Sequence, residues 1–297
     1  MTPRWGLMVE RDGQRPEAFE GPRRAAVLGR PVRHSLSPIL HHAAYEALGL
    51  HGWRYERIEC GESELAELVE TLGREWVGLS LTMPLKRVAL QVADEISPLA
   101  TAVGAANTLL LHRGLRRVDN TDVEGIAESL REAGLRRIGH AVVLGAGGTA
   151  QAALAALHDL GEESPTVIVR DVARTSELRA AAERLGSRPT VRGGLFDEPL
   201  PEADVVISTL PAGAADPLAV APWRGRSVVL DVDYANWPTP LVTSALRAGG
   251  TVVSGLTVLL HQAVGQVRLM TGLAPPVEVM RASLDAAAGI RSAPSRG

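Results

Sequence analysis

The chain has 297 residues, of which 45% are hydrophobic and only 3% aromatic, and its formal net charge is −3. This length is sufficient for two domains, and the composition predicts cores of Ala, Val and Leu, as in helices packed on a parallel sheet. The charge argues against a general nucleic-acid binder, while the lack of an apolar run of about 18 residues and of a hydrophobic leader predicts a cytoplasmic protein without a membrane partner.

Short apolar runs alternate with helical patterns, which is typical of βα units around a parallel sheet. Residues 1–23 are polar and predict a flexible extension, and residues 291–297 predict a frayed tail. Ser37 and Pro38 predict the N-cap and the first position of a helix that Gly49 closes. The other predicted elements are strands at 25–29, 77–81, 141–144, 166–169, 205–208 and 228–231, and helices at 63–72 and 256–270, with Gly272 ending the last one.

The strand at 141–144 leads into a glycine turn and an alanine-rich helix. Gly145, Gly147 and Ala150 meet the GxGxxA spacing. The first glycine allows a tight turn, the second lets the backbone approach a pyrophosphate, and the helix N-terminus supplies amide donors. With its strand and helix flanks, this pattern predicts a dinucleotide cofactor.

The end of the next strand indicates which dinucleotide is bound. An NAD site usually has Asp or Glu there, whereas this chain has Arg170 and, four residues on, Arg174. Two guanidinium groups suit the 2′-phosphate of NADP, so we expect NADP rather than NAD. Asp171 would either face the phosphate and repel it or hold an arginine in place, and the flanking arginines favour the second arrangement.

Lysine occurs once, at Lys86, beside 30 arginines. Lysine can release its proton when its environment lowers its pKa, whereas arginine essentially cannot. The single lysine therefore predicts a position that needs proton exchange rather than charge alone.

No metal is expected. The chain has one cysteine, Cys60, and no spacing such as HExxH, so it offers no cluster of ligands for zinc. We interpret the histidines that lie near polar segments as structural or peripheral; they are His34, His41, His42 and His261.

Four short segments, 35–38, 80–86, 104–109 and 119–125, contain the polar residues least expected by chance. Together with segments 208–211, 231–234, 239–241 and 255–263, their order and spacing resemble shikimate dehydrogenase, and specifically its actinobacterial members. The resemblance extends from about Ala25 to Ala286. It implies an α/β protein with an N-terminal α/β substrate domain and a Rossmann-like dinucleotide-binding domain, the active site lying in the cleft between them.

The resemblance also implies an activity and a division of the chain. The activity is the reversible, NADPH-dependent reduction of 3-dehydroshikimate to shikimate, a step of chorismate and aromatic amino-acid biosynthesis. Residues 24–121 would form the substrate-binding and catalytic domain and 122–255 the NADP-binding domain, while helices in 256–290 would pack back on the first domain. The expected partner is the small-molecule substrate, with the protein a monomer or homodimer.

By resemblance, Ser35 and Ser37 hold the substrate carboxylate, and Lys86 and Asp122 lie at the reacting oxygen. Neutral donors suit a carboxylate and several hydroxyls, and an ammonium group stabilises and can protonate a developing alkoxide. The implied contacts to the hydroxyls and ring are Thr82, Asn107, Asp122, Tyr234 and Gln262. The implied cofactor contacts are Gly145, Ala146, Gly147, Gly148, Thr149, Arg170, Arg174, Thr209, Val232 and Gly255.

Simpler interpretations exist for some of these residues. Ser37 is a good helix cap, Tyr234 suits ordinary packing, and Gln262 suits the solvent face of a helix. The chain also departs from the common family pattern: Ser80 replaces asparagine, Thr257-Val258 replaces Gly-Met, and Asp171 replaces threonine. The first two departures affect affinity at most, and the third puts strict NADP preference in doubt.

Three other functions compete with this interpretation. The first is an NAD-dependent quinate/shikimate dehydrogenase, which Arg170 disfavours. The second is a non-catalytic ligand sensor of the same fold, which would not need Lys86 and Asp122 as a titrating pair. The third is a folate-linked dehydrogenase of similar architecture, which the hydroxyl-binding residues do not favour.

Overall fold

A computed structural model describes residues 22–112, 114–194, 200–220 and 227–289. This part of the chain forms two compact units. Of the described residues, the mixed-sheet unit contains 22–100, 105–121 and 262–289, and the parallel-sheet unit contains 101–104 and 122–261. The predicted tail and all but the end of the predicted extension lie outside the described residues; Arg23, assigned to that extension, instead begins the first strand.

Strands and helices alternate along most of the chain. The strands are β1 (Arg23–Gly29), β2 (Trp53–Glu59), β3 (Trp76–Leu81), β4 (Glu95–Ile96), β5 (Thr108–His112), β6 (Leu115–Asp119), β7 (Ala141–Leu144), β8 (Thr166–Ile168), β9 (Thr190–Arg192), β10 (Val205–Ser208), β11 (Val228–Asp231) and β12 (Thr251–Ser254). The helices are α1 (Ser37–Ala47), α2 (Leu65–Thr71), α3 (Ala89–Val92), α4 (Pro98–Val103), α5 (Asp122–Glu132), α6 (Gly148–Asp159), α7 (Ser176–Leu185), α8 (Pro240–Arg247), α9 (Gly255–Thr271) and α10 (Val277–Ala287).

The mixed-sheet unit is built on a six-stranded sheet in the order β2-β1-β3-β5-β6-β4. Strand β1 pairs in parallel with β2 and β3, and β5 runs antiparallel to β3 and β6. Side chains of β1 alternate between two apolar clusters, because successive residues of a strand point to opposite faces. Ala26 and Leu28 join one cluster, and Ala25 and Val27 join the other, so both faces of the strand are buried.

The parallel-sheet unit has six parallel strands in the order β12-β11-β10-β7-β8-β9. Numbered from β7, this is the 3-2-1-4-5-6 order of a doubly wound dinucleotide-binding fold. Strands β7, β10 and β11 are buried along their whole length, as expected for a sheet covered on both faces. The strand order reverses between β7 and β10, and ligands of such sheets bind beyond the carboxyl ends of the strands at that point.

The N-terminal end of α1 differs from the prediction, whereas its C-terminal end agrees with it. The N-cap is Leu36, Ser37 is the first helical residue, and the Ser37 side chain makes no capping hydrogen bond. At the other end, Gly49 has a φ of 71°, and its N–H donates to Glu46 while the Leu50 N–H donates to Tyr45. These two bonds form a Schellman motif, which explains why a glycine follows the helix.

Other boundaries shift by a few residues. The predicted helix at 63–72 is a 3-10 turn at Glu62–Glu64 followed by α2, and the strand predicted to reach Val169 ends one residue earlier. Helix α9 extends the predicted helix by one residue at each end, and α10 follows it. Within the described ranges, no helix is long and apolar enough to cross a bilayer, and no cluster of three or more potential metal ligands occurs.

Candidate active site

The glycine turn after β7 has the geometry that its sequence predicts. Gly145 has a φ of 107°, and a Cβ at that position would lie 2.7 Å from the Thr209 hydroxyl. That hydroxyl donates to the Leu144 carbonyl at 2.8 Å, so the turn is fastened to the end of the neighbouring strand β10. Both the conformation and the close approach therefore require glycine at this position.

Gly147 differs from Gly145 in what surrounds it. It is the N-cap of α6 in an extended conformation, and no heavy atom lies within 4 Å of the position of a Cβ. The fold itself therefore does not need glycine at this position, whereas a ligand approaching the helix N-terminus would. The other predicted cofactor residues of this turn, Ala146, Gly148 and Thr149, are partly exposed beside it.

Gly255, another predicted cofactor residue, lies against Val232. A Cβ on Gly255 would lie 2.3 Å from the Val232 carbonyl oxygen, a contact that the backbone would have to move to relieve. Because Gly255 is also the first residue of α9, its small size lets that helix begin directly against the segment after β11. The structure thus brings together two residues that the resemblance implies for the cofactor.

The arginines after β8 are exposed, and the Asp171 carboxylate forms an ion pair with neither of them. Its carboxylate instead accepts a hydrogen bond from the Ala173 N–H at 2.9 Å and so caps the 3-10 turn at Val172–Arg174. Within the described chain, no ion pair joins Asp171 to Arg170 or Arg174. The favoured sequence interpretation, in which Asp171 holds an arginine, is therefore wrong: the backbone amide is the nearer partner for such a short side chain.

The two serines assigned to a carboxylate lie next to each other before α1. The Ser35 hydroxyl donates to the Ser37 hydroxyl at 3.2 Å and accepts from the Ser37 N–H at 3.3 Å. The Arg57 guanidinium donates twice to the Ser35 carbonyl, at 2.8 and 2.6 Å. Arg57 on β2 thus holds the segment that carries both hydroxyls, and it brings a positive charge beside them.

Asn107 and Gln262, which are distant in sequence, are in contact. The Asn107 Nδ2 lies 3.3 Å from the Gln262 Oε1 and 2.9 Å from the Thr121 hydroxyl, and its Oδ1 accepts from the Thr121 N–H at 2.8 Å. Gln262 is buried, with 8% of its surface exposed, so it is not the solvent-facing helix residue of the simpler interpretation. The mixed-sheet unit therefore gathers uncharged hydrogen-bonding groups from three separate segments.

The loop that carries Thr82 and Lys86 lies beside the Asn107 segment. The Ala106 N–H donates to the Lys86 carbonyl at 2.7 Å, and the Leu81 N–H donates to the Asn107 carbonyl at 2.7 Å. The Lys86 and Thr82 side chains are both partly buried. The last two residues assigned to the substrate, Asp122 at the first position of α5 and Tyr234, belong to the parallel-sheet unit.

Tyr234 follows β11 in a segment that Asp231 fastens. The Asp231 carboxylate accepts from the Thr239 hydroxyl at 2.8 Å and from the Asp233 N–H at 3.3 Å. Burial raises the pKa of Asp231, and it also raises the pKa of Tyr234, with Asp233 acting in the same direction. Tyr234 is therefore an un-ionised hydroxyl that can donate a hydrogen bond.

A set of buried polar side chains linked to Asn107 through Gln266 was not predicted from the sequence; it comprises Gln266, His41 and Tyr55. His41 is fully buried, and burial lowers its pKa to about 3, which is consistent with the structural role expected for it. One signal for Gln266 was present in the sequence. It follows Gln262 by four residues, a spacing that places both side chains on the same face of a helix.

Comparison with known proteins identifies the family. A shikimate dehydrogenase (NADP(+)) from Natronomonas pharaonis is 37% identical over 265 residues, which cover 87% of this chain and 97% of that protein. Family models described as the shikimate dehydrogenase substrate binding domain and the shikimate 5'-dehydrogenase C-terminal domain match residues 27–109 and 255–284. The chain belongs to the shikimate dehydrogenase family.

Solved structures agree with this assignment and with the predicted α/β fold class. Shikimate dehydrogenase from Mycobacterium tuberculosis is 45% identical, with a TM-score of 0.80 over 89% of this chain and 100% of that one. The Thermus thermophilus shikimate 5-dehydrogenase, solved in complex with NADP(H) and shikimate, is 33% identical, with a TM-score of 0.77 over 89% of this chain and 99% of that one. The resemblance to the family is therefore confirmed.

Proposed function

We propose that this protein is an NADP-dependent shikimate dehydrogenase that interconverts 3-dehydroshikimate and shikimate. The observation that carries the proposal is the cluster of Asn107, Thr121 and Gln262, whose uncharged amide and hydroxyl groups lie in mutual contact within a family whose members bear this name. Each hydroxyl of a polyhydroxylated ring can both donate and accept a hydrogen bond, and amide and hydroxyl side chains can match both roles.

The substrate carboxylate is assigned to Ser35 and Ser37. Two adjacent hydroxyls can donate to one carboxylate, and the Arg57 guanidinium at the Ser35 carbonyl adds a favourable positive potential. Thr82 and Tyr234 supply the remaining contacts to the hydroxyls and ring. This assignment is supported by the family resemblance and by the contact between the two serine hydroxyls.

Lys86 is assigned the proton that is exchanged with the reacting oxygen. In the reductive direction the ketone oxygen gains negative charge, which the Lys86 ammonium stabilises before it gives up its proton. Arginine holds its proton at every working pH, which explains a lysine in a chain that otherwise uses arginine. Asp122 is assigned, by resemblance, as the second proton-handling group at this oxygen.

NADP fits the residues present in the parallel-sheet unit. Gly145 supports the tight turn, Gly147 leaves open space at the N-terminus of α6, and the exposed Arg170 and Arg174 can bind a 2′-phosphate. When bound, the nicotinamide supplies or accepts the hydride. Thr209, Val232 and Gly255 are assigned to the same cofactor by resemblance.

Steady-state kinetics with two substrates and two cofactors test the proposal. We expect kcat/KM to be highest for shikimate with NADP, and lower when either quinate replaces shikimate or NAD replaces NADP. Comparable values with quinate and NAD would identify a quinate/shikimate dehydrogenase instead. Binding of shikimate without turnover in either direction would identify a sensor.

A further inference from the structure

A fully buried amide lies directly behind Asn107. Gln266 on α9 is 1% exposed. Its Nε2 donates to the Asn107 carbonyl and to the Thr108 hydroxyl, each at 3.2 Å. Its Oε1 accepts from the Ser80 hydroxyl at 2.7 Å and lies 3.3 Å from the His41 Nε2. All four hydrogen-bonding positions of this amide are therefore used inside the protein.

Ser80 links Gln266 to a second buried hydroxyl, that of Tyr55. The Ser80 hydroxyl accepts from the Tyr55 hydroxyl at 2.5 Å. Burial raises the pKa of the Tyr55 phenol, which keeps it a hydrogen-bond donor to Ser80. A continuous series of hydrogen bonds thus runs from Tyr55 through Ser80 and Gln266 to the Asn107 carbonyl.

Gln266 fixes Asn107 in two ways. It binds the Asn107 carbonyl directly, and it binds the hydroxyl of Thr108, which in turn donates to the Asn107 Oδ1 at 2.9 Å. With Oδ1 accepting from Thr108, the amide of Asn107 has a defined orientation, and its Nδ2 faces Gln262. A side chain held from both its backbone and its terminal oxygen loses little conformational entropy when a ligand binds.

We propose that Gln266 is a positioning residue for shikimate recognition, which holds Asn107. The inference rests on the proposed function, because it takes Asn107 as a substrate contact. It also gives Ser80, which replaces the common asparagine of the family, a specific task as the link between Tyr55 and Gln266.

Gln266→Met tests this role, because methionine has a similar length and no hydrogen-bonding amide. The measurements are the Kd of shikimate and the Kd of NADP+ by calorimetry, with kcat from initial rates. We expect the shikimate Kd to rise about tenfold, the NADP+ Kd to stay within about twofold, and kcat to fall less than about threefold. An unchanged shikimate Kd in the folded variant would overturn the proposal.

Leu65→Ala is the matched control for lost stability. Leu65 is fully buried in the same unit and belongs to an apolar cluster that excludes the network residues. Its truncation leaves a cavity and lowers the stability without removing a polar contact. If Leu65→Ala weakened shikimate binding as much as Gln266→Met, the effect would reflect general destabilisation and the positioning role would be refuted.

Two more variants separate the possible failures. Asn107→Ala tests the site itself: retained shikimate affinity there would refute the substrate assignment, whereas lost affinity with an unaffected Gln266→Met would refute only the positioning role. If Gln266→Met does not fold, Ser80→Ala takes its place, with an expected shikimate Kd about threefold higher. An unchanged Kd in Ser80→Ala would then overturn the proposal.

Discussion

Arginine provides 30 of the 31 Lys and Arg side chains of this chain, and the exception, Lys86, indicates a function that arginine does not serve. Lys86 lies on a loop whose backbone is bound to the Asn107 segment, so the lysine is held at the edge of the uncharged cluster rather than on a free surface. Arginine would supply the charge, whereas lysine is a compact ammonium that can also release its proton.

Lys86→Ala should lower kcat for shikimate oxidation by about 10²–10⁴, with a much smaller change in KM, because a positioned acid or base contributes to the transition state. Lys86→Arg is the matched control: it keeps the positive charge but cannot release the proton. Initial-rate kinetics on both variants measure the effect. An arginine variant that retains more than half of the wild-type kcat would show that charge is sufficient.

Asp171 gives a prediction about cofactor choice. Its carboxylate caps a turn between two exposed arginines, and threonine can cap the same turn through its hydroxyl. Asp171→Thr should therefore leave the stability nearly unchanged while removing a negative charge near the 2′-phosphate. We expect the NADP Kd to fall about two- to fivefold at low ionic strength, with a smaller gain at high salt. Weaker NADP binding would show that the carboxylate supports the arginines.

At the scale of elements, the turn between β7 and α6 contains one glycine that the fold requires and one that ligand binding requires. Gly145 is required by its positive φ and by the Thr209 hydroxyl, whereas Gly147 has an ordinary backbone conformation and open space around it. Two glycines of one motif thus serve different purposes, and substitution can tell them apart.

Gly147→Ala should change the unfolding free energy of the apo protein by less than about 1 kcal/mol, because the gain from restricting the unfolded chain is opposed by the poorer N-cap preference of alanine. The same variant should bind NADP at least about tenfold more weakly, since the added methyl group occupies the approach to the helix N-terminus. Gly145→Ala should instead lose about 1–3 kcal/mol of stability. Denaturant titration and calorimetry measure both quantities; a destabilised Gly147→Ala with normal NADP affinity would contradict this division.

At the scale of the whole molecule, buried ionisable groups make the stability depend on pH. His41 stacks on Tyr55 with ring centroids 3.9 Å apart and is fully buried in the mixed-sheet unit. Its pKa falls from 6.5 to about 3 on burial, so the folded protein keeps it neutral where the unfolded chain protonates it. Stability is therefore present above pH 6.5 and is lost as the pH falls toward the folded pKa.

Between pH 7 and pH 5, His41 should cost the wild-type protein about 2 kcal/mol of unfolding free energy. In His41→Gln the pH-dependent loss should be smaller by about this amount, although the variant is less stable overall. Burial raises the pKa values of Asp119 and Asp231, so their contribution to stability increases as the pH falls. Both residues are present in the wild type and in the variant, so their effect cancels in the comparison. Urea titrations at the two pH values measure the difference, and equal losses would show that His41 does not control the acid sensitivity.

The sequence alone determined most of the local elements and the family. The apolar run 141–144 and the glycines after it form a pattern of about ten residues, which predicts a strand followed by a tight turn. In the structure, β7 has the predicted bounds, Ala141–Leu144. Short motifs likewise identified the family, because Lys86, Asn107 and Gln262 occur in distinctive local contexts. The prediction that Ser37 is the N-cap was wrong by one position, because Ser37 is already the first helical residue and Leu36 is the N-cap.

Only the tertiary structure decided which of these side chains meet and what holds them. Gln262 contacts Asn107, 155 residues away, because α9 returns to the mixed sheet. The role of Gln266 depends on four partners from three segments, and no sequence periodicity predicts that these segments meet. The orientation of Asp171 was decided in the same way, since a short carboxylate between two arginines binds whichever donor the folded backbone places nearest, and that donor is the Ala173 amide.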